Sequence, residues 1–406
     1  MRYLVIILVL FSCTAKNEKA DYRPKFHFTP QKNWTNDPNG LVYYDGEYHL
    51  FFQYNPYGDK WGHMSWGHAV SKDLLHWEEL PVAIEEYVDS EGDSVMIFSG
   101  SAVVSGDSIV AIFTSHKSTK QSQSIAVSHD KARTFKVYKG NPVLDIGRKD
   151  FRDPKVFWYE PQKKWVMAAV VPDQHKVNLY ESKDLKSWNF MSDFGKVGDT
   201  TKIWECPDLF PLSNKWVLLI SASHPQGGPF VGMQYFVGDF DGTKFSVDDS
   251  SRYPLYVDYG KDFYAGITYN NEPGGRRIMI GWANNWAYAG SVPTSPWRGG
   301  MSLPRELSLD SDLKLKQVPA VEIESKKVVF DKTDSIEVSG TWIGYNAITK
   351  NVFLNRMNKM FPSIEKAPAR LIDGKVKLEI FEDHSIIEVF INDGEAVISD
   401  QVFPKY

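Results

Sequence analysis

Three acidic residues lie in the most distinctive phrases of this 406-residue chain. Asp37 occurs in WTNDPNG, Asp153 in FRDPKV and Glu205 in WECPDLF. Each phrase opens a run of hydrophobic, strand-like residues, so the three units are comparable. Cleavage of a glycosidic bond uses two carboxyl groups, one that donates a proton and one that attacks the anomeric carbon or activates water. The three phrases predict this chemistry if the fold brings their side chains together.

Each acid also has a structural explanation. Asp-Pro pairs commonly open turns, in which the Asp side chain caps its own backbone, so Asp37 and Asp153 could serve the fold alone. Glu205 stands between an aromatic residue and a Cys-Pro pair, an apolar setting that disfavours its charged form. Crowded carboxyls are expected to raise the pKa of at least one of them, while Arg152 is expected to hold the adjacent Asp153 ionised.

A repeat of about 56 residues positions these acids. Turns that contain Asp and are followed by an aromatic residue recur at 71–77, 128–135, 182–188 and 238–245. The acidic positions keep a similar period, with Phe98-Ser99 in the slot between Asp37 and Asp153, and with Asp262 one period after Glu205. Four regular spacings in one phase favour a repeat architecture over a β-sandwich with coincidental spacing.

Strand signals dominate each repeat. Alternating runs flank turn residues within 41–54, 155–170 and 208–221, and each run predicts a β-hairpin. We therefore predict an all-β chain: a five-bladed β-propeller at 25–310, a polar connection, and a short C-terminal β-sandwich at 321–406. The first strand of every blade lines the propeller channel, so Asp37, Asp153, Glu205 and Asp262 are expected to meet at one end of it.

Composition and the N-terminal residues limit the possible ligands, the cellular location and the role of disulfides. The net charge of −5 is spread without a concentrated basic face, which excludes a nucleic-acid footprint. Residues 1–12 resemble a lipoprotein signal peptide and Cys13 the lipidated residue, with 13–24 as a polar tether to a membrane; plain secretion is the alternative. Cys206 is then the one remaining thiol, so disulfides are not expected to stabilise the protein.

The motifs together resemble a known family. The phrases WTNDPNG, FFQYNP, WGHMSWGHAVSKDLLHW, FSGS, FRDPKV, WECPD, DFYA and IMIGWAN occur in the order found in glycoside hydrolase family 32. This family contains the β-fructosidases: invertases, inulinases, levanases and fructan exohydrolases. The resemblance runs from about Phe26 to Glu306 and resumes weakly over the last domain.

The resemblance implies a role for each acid. Asp37 would be the nucleophile that forms a covalent fructosyl-enzyme, Glu205 the general acid and base, and Asp153 the transition-state stabiliser. It also implies a set of residues that line a fructose pocket: Trp34, Asn36, Gln53, Trp61, Phe98, Ser99, Arg152, Asp262 and Trp282. It implies no cofactor and no metal, and the histidines of HMSWGH are not expected to form a metal site.

The expected function is therefore the release of fructose from levan or inulin, and from sucrose, with retention of configuration. One alternative is a surface fructan-binding lipoprotein with impaired catalysis, and another is a dedicated sucrose invertase. Transfer of fructose to another sugar instead of water is also left open by the sequence. The sandwich is expected to be shorter than is usual in the family and to expose sheet edges.

Overall fold

The computed structural model describes residues 22–223 and 232–404. These two ranges contain no α-helix, only strands and four short 3₁₀ turns at Glu160–Gln162, Pro172–Gln174, Ser250–Arg252 and Ala289–Ser291. Across the described ranges, no helix has the length and apolar character needed to cross a bilayer. The predicted signal peptide and Cys13 lie outside the described residues, as does the predicted tether up to residue 21.

Five antiparallel sheets follow one another along the chain, numbered here as sheets 1 to 5. Sheet 1 contains β1 (Asn33–Tyr44), β2 (Glu47–Asn55), β3 (Ser65–Ser71) and β4 (Trp77–Ile84). Sheet 2 contains β5 (Tyr87–Val88), β6 (Ser94–Ser105), β7 (Ser108–His116), β8 (Gln121–Ser128) and β9 (Lys136–Val137). Sheet 3 contains β10 (Arg152–Tyr159), β11 (Lys164–Val171), β12 (Lys176–Ser182) and β13 (Asn189–Gly195).

The last two of these sheets complete the N-terminal domain. Sheet 4 contains β14 (Ile203–Leu212), β15 (Lys215–Ser223), β16 (Gly232–Phe240), β17 (Phe245–Ser246) and β18 (Leu255–Tyr256). Sheet 5 contains β19 (Tyr264–Thr268), β20 (Ile278–Trp282), β22 (Arg305–Leu309) and β23 (Leu315–Pro319). Between β20 and β22, β21 (Trp297–Arg298) returns to sheet 1 and pairs in parallel with β1.

The strands β1, β6, β10, β14 and β19, called the central strands below, close a ring. They contact one another in this cyclic order, and β19 contacts β1. Hydrophobic clusters fill the spaces between neighbouring sheets, for example between sheets 3 and 4 and between sheets 4 and 5. Antiparallel sheets arranged radially around a channel form a β-propeller, so the prediction of an all-β chain with a propeller domain is confirmed.

Local turn chemistry explains why the repeats form sheets. In the first hairpin Asp45 and Gly46 both have positive φ values, 49° and 89°, as a two-residue hairpin turn that follows the strand twist requires. In the recurring outer turns an Asp side chain accepts hydrogen bonds from backbone N–H groups two and three residues later. Asp73, Asp184 and Asp241 all do so, at 2.7–2.9 Å.

Two boundaries differ from the prediction. The segment predicted as a polar connection contains β23, which pairs with β22 along its whole length, so the propeller ends at Pro319 and not at residue 310. The strand forms because Leu315 and Gln317 alternate inward, after a turn capped by the Asp310 carboxylate. The predicted tether also ends early, since Tyr22 is buried against Trp297 and Phe403.

The C-terminal domain is a sandwich of two four-stranded antiparallel sheets. One contains β24 (Lys326–Phe330), β29 (Val376–Asp383), β30 (Ile386–Ile391) and β31 (Ala396–Gln401). The other contains β25 (Asp334–Val338), β26 (Thr341–Asn346), β27 (Asn351–Asn355) and β28 (Ile364–Pro368). A single apolar cluster packs between them.

One expected exposed edge of the sandwich is covered. The edge strand β31 is buried along its length, and its Val397 and Ser399 carbonyls accept hydrogen bonds from the N–H groups of Tyr259 and Asp262 at 2.9 and 3.0 Å. The propeller therefore supplies the pairing that an isolated edge would lack. The two domains form one continuous structure through this contact.

Candidate active site

Every central strand carries a one-residue β-bulge in its first half. The register shifts by one residue between Thr35 and Pro38, Phe98 and Gly100, Arg152 and Lys155, Glu205 and Asp208, and Tyr264 and Ile267. A bulge disrupts the alternation of side chains and turns some of them toward a site that a regular strand would not reach. The five bulges lie at the same end of the ring, and this end carries the candidate catalytic residues.

The bulges also establish which residues correspond between the repeats. Asp153 and Cys206 each follow the last residue pair before the bulge of their strand, and they have positive φ values of 60° and 47°. Glu205 therefore precedes the position that matches Asp153, and its counterpart in sheet 5 is Tyr264. Counted from the bulges, Asp153 lies one residue and Asp37 two residues after the position of Glu205 and Tyr264, whereas Asp262 lies two residues before it, so the predicted equivalence of the four acids is wrong.

Asp37 is buried and held by two short hydrogen bonds. Ser99 Oγ donates to its Oδ2 at 2.6 Å, and Asn36 Nδ2 donates to its Oδ1 at 3.0 Å. Burial raises the pKa of Asp37 against the lowering effect of these two bonds, and the nearby Glu205 charge raises it further. The Asp37 carboxyl is thus fixed in orientation, and its burial disfavours the ionised form.

Asp153 is also buried, and the backbone N–H of Cys206 donates to its Oδ2 at 2.9 Å. Burial raises the pKa of Asp153 to about 7, with Arg152 opposing and the charges of Glu205 and Asp37 adding to the increase. The prediction that Arg152 lowers the pKa of Asp153 below its usual value is therefore wrong. The Arg152 Nε lies 3.9 Å from the Asp153 carboxylate, too far to offset the burial.

Glu205 receives the closer contact from that arginine. Arg152 Nη2 donates to Glu205 Oε1 at 3.1 Å, and the Tyr264 hydroxyl donates to Glu205 Oε2 at 2.6 Å. The Glu205 side chain is partly exposed, whereas Asp37 and Asp153 are buried. Of the three carboxyls, Glu205 is therefore the most accessible to solvent.

The Cys206 thiol connects the two buried acids. Its Sγ lies 3.6 Å from Asp37 Oδ2 and 3.7 Å from Asp153 Oδ2. Burial raises the pKa of Cys206 well above its usual value, and the surrounding carboxylates raise it further, so the thiol stays protonated. Both acids therefore contact one neutral S–H group, and the three carboxyls belong to a single electrostatic group.

Comparison with known proteins agrees with this arrangement. Residues 27–319 match the model of the glycosyl hydrolases family 32 N-terminal domain, and residues 325–405 match the model of the family 32 C-terminal domain. The chain belongs to glycosyl hydrolase family 32.

Similar proteins include enzymes that act on fructose-containing sugars. A levanase of Bacillus subtilis is 42% identical over 99% of this chain and 70% of the relative. Invertase 2 of Saccharomyces cerevisiae is 41% identical over 86% of this chain and 68% of the relative. The crystal structure of the exo-inulinase from Aspergillus awamori matches with a TM-score of 0.86 and 36% identity, over 96% of this chain and 94% of that chain.

The other residues that we predicted for the pocket of this family 32 enzyme fall into two groups. Asn36, Ser99 and Arg152 directly contact the acids. Gln53 is buried, and its amide donates to the Ile97 carbonyl at 2.9 Å, so it supports the strand that carries Ser99.

Aromatic rings surround the acid end of the channel. Trp34 and Trp282 are both buried, and the Trp34 indole donates to Asn36 Oδ1 at 2.8 Å. Trp61 is 48% exposed and meets Phe98 edge-on at 6.1 Å. Trp286, which the sequence reading missed, is 37% exposed and stacks on Trp34 at 6.1 Å. The rim therefore offers two accessible indoles, above a buried pair that supports the acids.

Asp262 belongs to the domain junction and not to the group of three acids. Its carboxylate accepts hydrogen bonds from Arg356 of the sandwich at 3.0 Å, from the Tyr288 hydroxyl and from Asn285, and it is buried. These partners saturate its oxygens. Because Tyr288 and Asn285 flank Trp286, Asp262 connects the sandwich to the rim of the site.

Tyr264 and Cys206 are the functional contacts for which sequence reasoning gave little signal. Tyr264 occurs in the DFYA phrase, but the repeat period, counted from Glu205, points to Asp262 in the same phrase. Counting from the bulge instead of from the acidic residue would have identified Tyr264 as the equivalent position.

Proposed function

We propose that this family 32 enzyme releases fructose from the ends of β-fructans, levan or inulin, and from sucrose, with retention of configuration. The observation that carries the proposal is the single electrostatic group formed by Asp37, Asp153 and Glu205 at one end of the propeller channel. Arg152 is the one cation that contacts these acids within the described residues. Such a group suits a reaction that needs one carboxylate and one carboxylic acid at the same time.

In the first step Asp37 would attack the anomeric carbon of the fructosyl unit while Glu205 protonates the leaving oxygen. The glycosidic C–O bond breaks, an ester forms between Asp37 and fructose, and the leaving alcohol carries away the proton of Glu205. Ser99 and Asn36 support this role for Asp37, because they fix the carboxylate before substrate arrives.

In the second step the Glu205 carboxylate would take a proton from water, whose oxygen attacks the same carbon. The ester breaks, fructose leaves and Asp37 is free again. The partial exposure of Glu205 supports this role, since the group that exchanges protons with water must be reachable. Arg152 and Tyr264 would orient its carboxyl in both steps.

Asp153 would bind fructose hydroxyls and stabilise the positive charge that develops on the ring. Its N–H contact from Cys206 and its burial hold it rigidly beside Asp37. A carboxylate preorganised in a site of low polarity interacts more strongly with developing positive charge than one in water. The accessible Trp61, Trp286 and Phe98 would contact the apolar faces of the fructosyl units.

The preference for fructan over sucrose alone is supported by the levanase and exo-inulinase relatives, while the similarity to invertase 2 favours a dedicated sucrose invertase as the second candidate. Hydrolysis of levan, inulin and sucrose separates them: the first candidate gives fructose from a polymer, and the second from sucrose alone.

The Asp37→Asn variant tests the mechanism. It should lose at least about 10³-fold in fructose release, because a neutral amide cannot form the ester intermediate. Asp45→Asn, in the exposed hairpin turn after the same strand, is the matched control and should keep full activity. Fructose release by Asp37→Asn at the wild-type rate, or none by the wild type on any of the three sugars, would refute the proposal.

We further propose that the enzyme works outside the cytoplasm, attached to a membrane by lipid on Cys13. The short apolar segment before Cys13 supports this, as does the extracellular location in the names of the exo-inulinase relatives. Cells fed labelled palmitate should incorporate the label into wild-type protein and into Cys206→Ser, but not into Cys13→Ala. Unlabelled wild-type protein in the culture medium would instead indicate plain secretion.

A further inference from the structure

A second cavity opens at the other end of the propeller channel. It measures about 520 Å³ and is lined by the ends of central strands, including Phe157 to Tyr159 of β10 and Leu209 to Pro211 of β14. This volume is within the range of pockets that bind small ligands. We call it the opposite mouth, because the same strands begin at the acids and end here.

The two ends of the channel are separate sites. Trp158 follows Asp153 by five residues on β10, which corresponds to about 16 Å along a strand. Between them Lys155 Nζ donates to Asp208 at 3.0 Å and to the Thr268 carbonyl at 2.5 Å, cross-linking three central strands. Between the two ends, the cavity lined by Asp153, Lys155 and Cys206 measures about 10 Å³, enough for one water molecule at most. A sugar at one end therefore cannot reach the other.

Aromatic rings form one wall of the opposite mouth. Trp158 is 41% exposed, and its indole N–H donates to Glu160 Oε2 at 2.5 Å, which fixes the orientation of the ring. Trp165 supports it edge-on at 5.0 Å, and Trp216 lies nearby against Phe157 at 5.4 Å. A fixed, accessible indole is a flat apolar surface of the kind that packs against the face of a sugar ring.

Polar groups with both hydrogen-bonding roles line the rest of the cavity. Arg277 stacks over Phe210 at 5.0 Å, and within the described ranges no carboxylate lies within 4 Å of its guanidinium. The Tyr269 hydroxyl is buried and has no hydrogen-bond partner among residues 22–223 and 232–404. Glu160 and Glu272 supply acceptors, and Glu272 is already paired with Arg276.

This mixture indicates the class of ligand. An anion would meet the Glu160 carboxylate, and a cation would meet Arg277, whereas a neutral molecule rich in hydroxyls can use donors and acceptors together. We propose that the opposite mouth binds a neutral oligosaccharide, namely a second segment of the fructan that the active site cleaves. The identity of the sugar rests on the function proposed above; the site itself rests on the cavity.

The test counts binding sites in protein that cannot turn over. An inulin-type or levan-type fructotetraose is titrated calorimetrically into Asp37→Asn, and into Asp37→Asn combined with Trp158→Ala. We expect two sites in the first protein and one in the second. The matched control adds Trp342→Ala, an indole of similar exposure (46%) on the sandwich, and should keep two sites. One site in all three proteins overturns the inference.

A kinetic measurement separates this inference from the proposed function. In otherwise wild-type enzyme, Trp158→Ala should raise the half-saturating concentration of levan or inulin roughly 2- to 10-fold and leave sucrose hydrolysis unchanged. Glu160→Ala, which frees the indole, should act in the same direction with a smaller change. Normal fructose release with no effect of either variant overturns the second site alone. If inorganic phosphate abolishes the second binding event and a different neutral oligosaccharide does not, the cavity is an anion site, and the inference of a sugar site is overturned.

Discussion

Two groups of buried carboxyls in this molecule differ in how many cations contact them. At the domain junction, the buried Arg305 lies 2.9 Å from Asp258 and 2.8 Å from Glu388. Glu388 also meets His27 at 3.2 Å. At the acid end of the channel, no cation among residues 22–223 and 232–404 lies closer to Asp153 than Arg152, whose Nε is 3.9 Å away.

The pKa values of Glu388, Asp258 and Asp153 reflect how many cations contact each carboxyl and at what distance. Burial alone would raise the pKa of Glu388, but Arg305 and His27 more than offset it and lower the pKa. Burial keeps the pKa of Asp258, which shares Arg305, above its ordinary value. Burial also raises the pKa of Asp153, to about 7. Charge is thus compensated more completely at Glu388, in the domain junction, than at Asp153, in the candidate active site.

The largest effect should come from removing the proposed proton donor, Glu205, of the candidate active site. Glu205→Gln should lower kcat for sucrose by roughly 10³- to 10⁵-fold, since the leaving oxygen is no longer protonated. A fructoside with a readily leaving aryl group should retain much more of the rate of fructosyl transfer to Asp37, measured as a burst of aryl alcohol. Equal losses on both substrates would contradict the assignment of Glu205 as general acid.

The compensated group should respond in stability instead. Arg305→Met leaves Asp258 and Glu388 buried without their shared cation and should lower the free energy of unfolding by about 3–5 kcal/mol, measured by urea denaturation. Arg370→Met, which breaks an exposed pair with Glu395, is the matched control and should leave the free energy of unfolding nearly unchanged. Similar effects of the two variants would show that the buried cluster around Arg305 depends on its cation no more than an exposed ion pair does.

The sequence could predict what depends on local pattern. The hairpin at Asp45 and Gly46, the capped outer turns and the acids Asp37, Asp153 and Glu205 were all recognisable because turn chemistry and repeat spacing are written in contiguous residues. The combination of a propeller with a sandwich followed from the same signals.

Single-residue register and long-range pairing could not be predicted. The spacing between Glu205 and Asp262 matched the repeat period. The bulge in β19 shows, however, that the counterpart of Glu205 is Tyr264, two residues later. A one-residue insertion costs little locally, and only the neighbouring strands determine where it falls. Arg356 reaches Asp262 from 94 residues away, a pairing that no local pattern indicates.

Neutralising Asp153 should make the protein more stable while it removes activity. Because the folded-state pKa of about 7 exceeds the ordinary value of 3.8, the folded state binds more protons between these values, and stability falls as pH rises through this window. Asp153→Asn should therefore raise the free energy of unfolding at pH 8 by up to about 4 kcal/mol and change it little at pH 4. Thermal unfolding of both proteins across this range is the measurement. A variant that is less stable than wild type at pH 8 would show that Asp153 is compensated after all.

The smallest effect sharpens the comparison within the active site itself. Tyr264 donates a 2.6 Å hydrogen bond to Glu205, the most exposed of the three acids. Tyr264→Phe removes this bond and should lower kcat about 10-fold, the effect of one hydrogen bond to a charged group, with KM for sucrose nearly unchanged. Tyr44→Phe removes a hydroxyl that bonds the Asp107 carbonyl at the protein surface and should leave both constants unaltered. If Tyr264→Phe instead raises KM at constant kcat, the hydroxyl binds sugar directly and does not position Glu205.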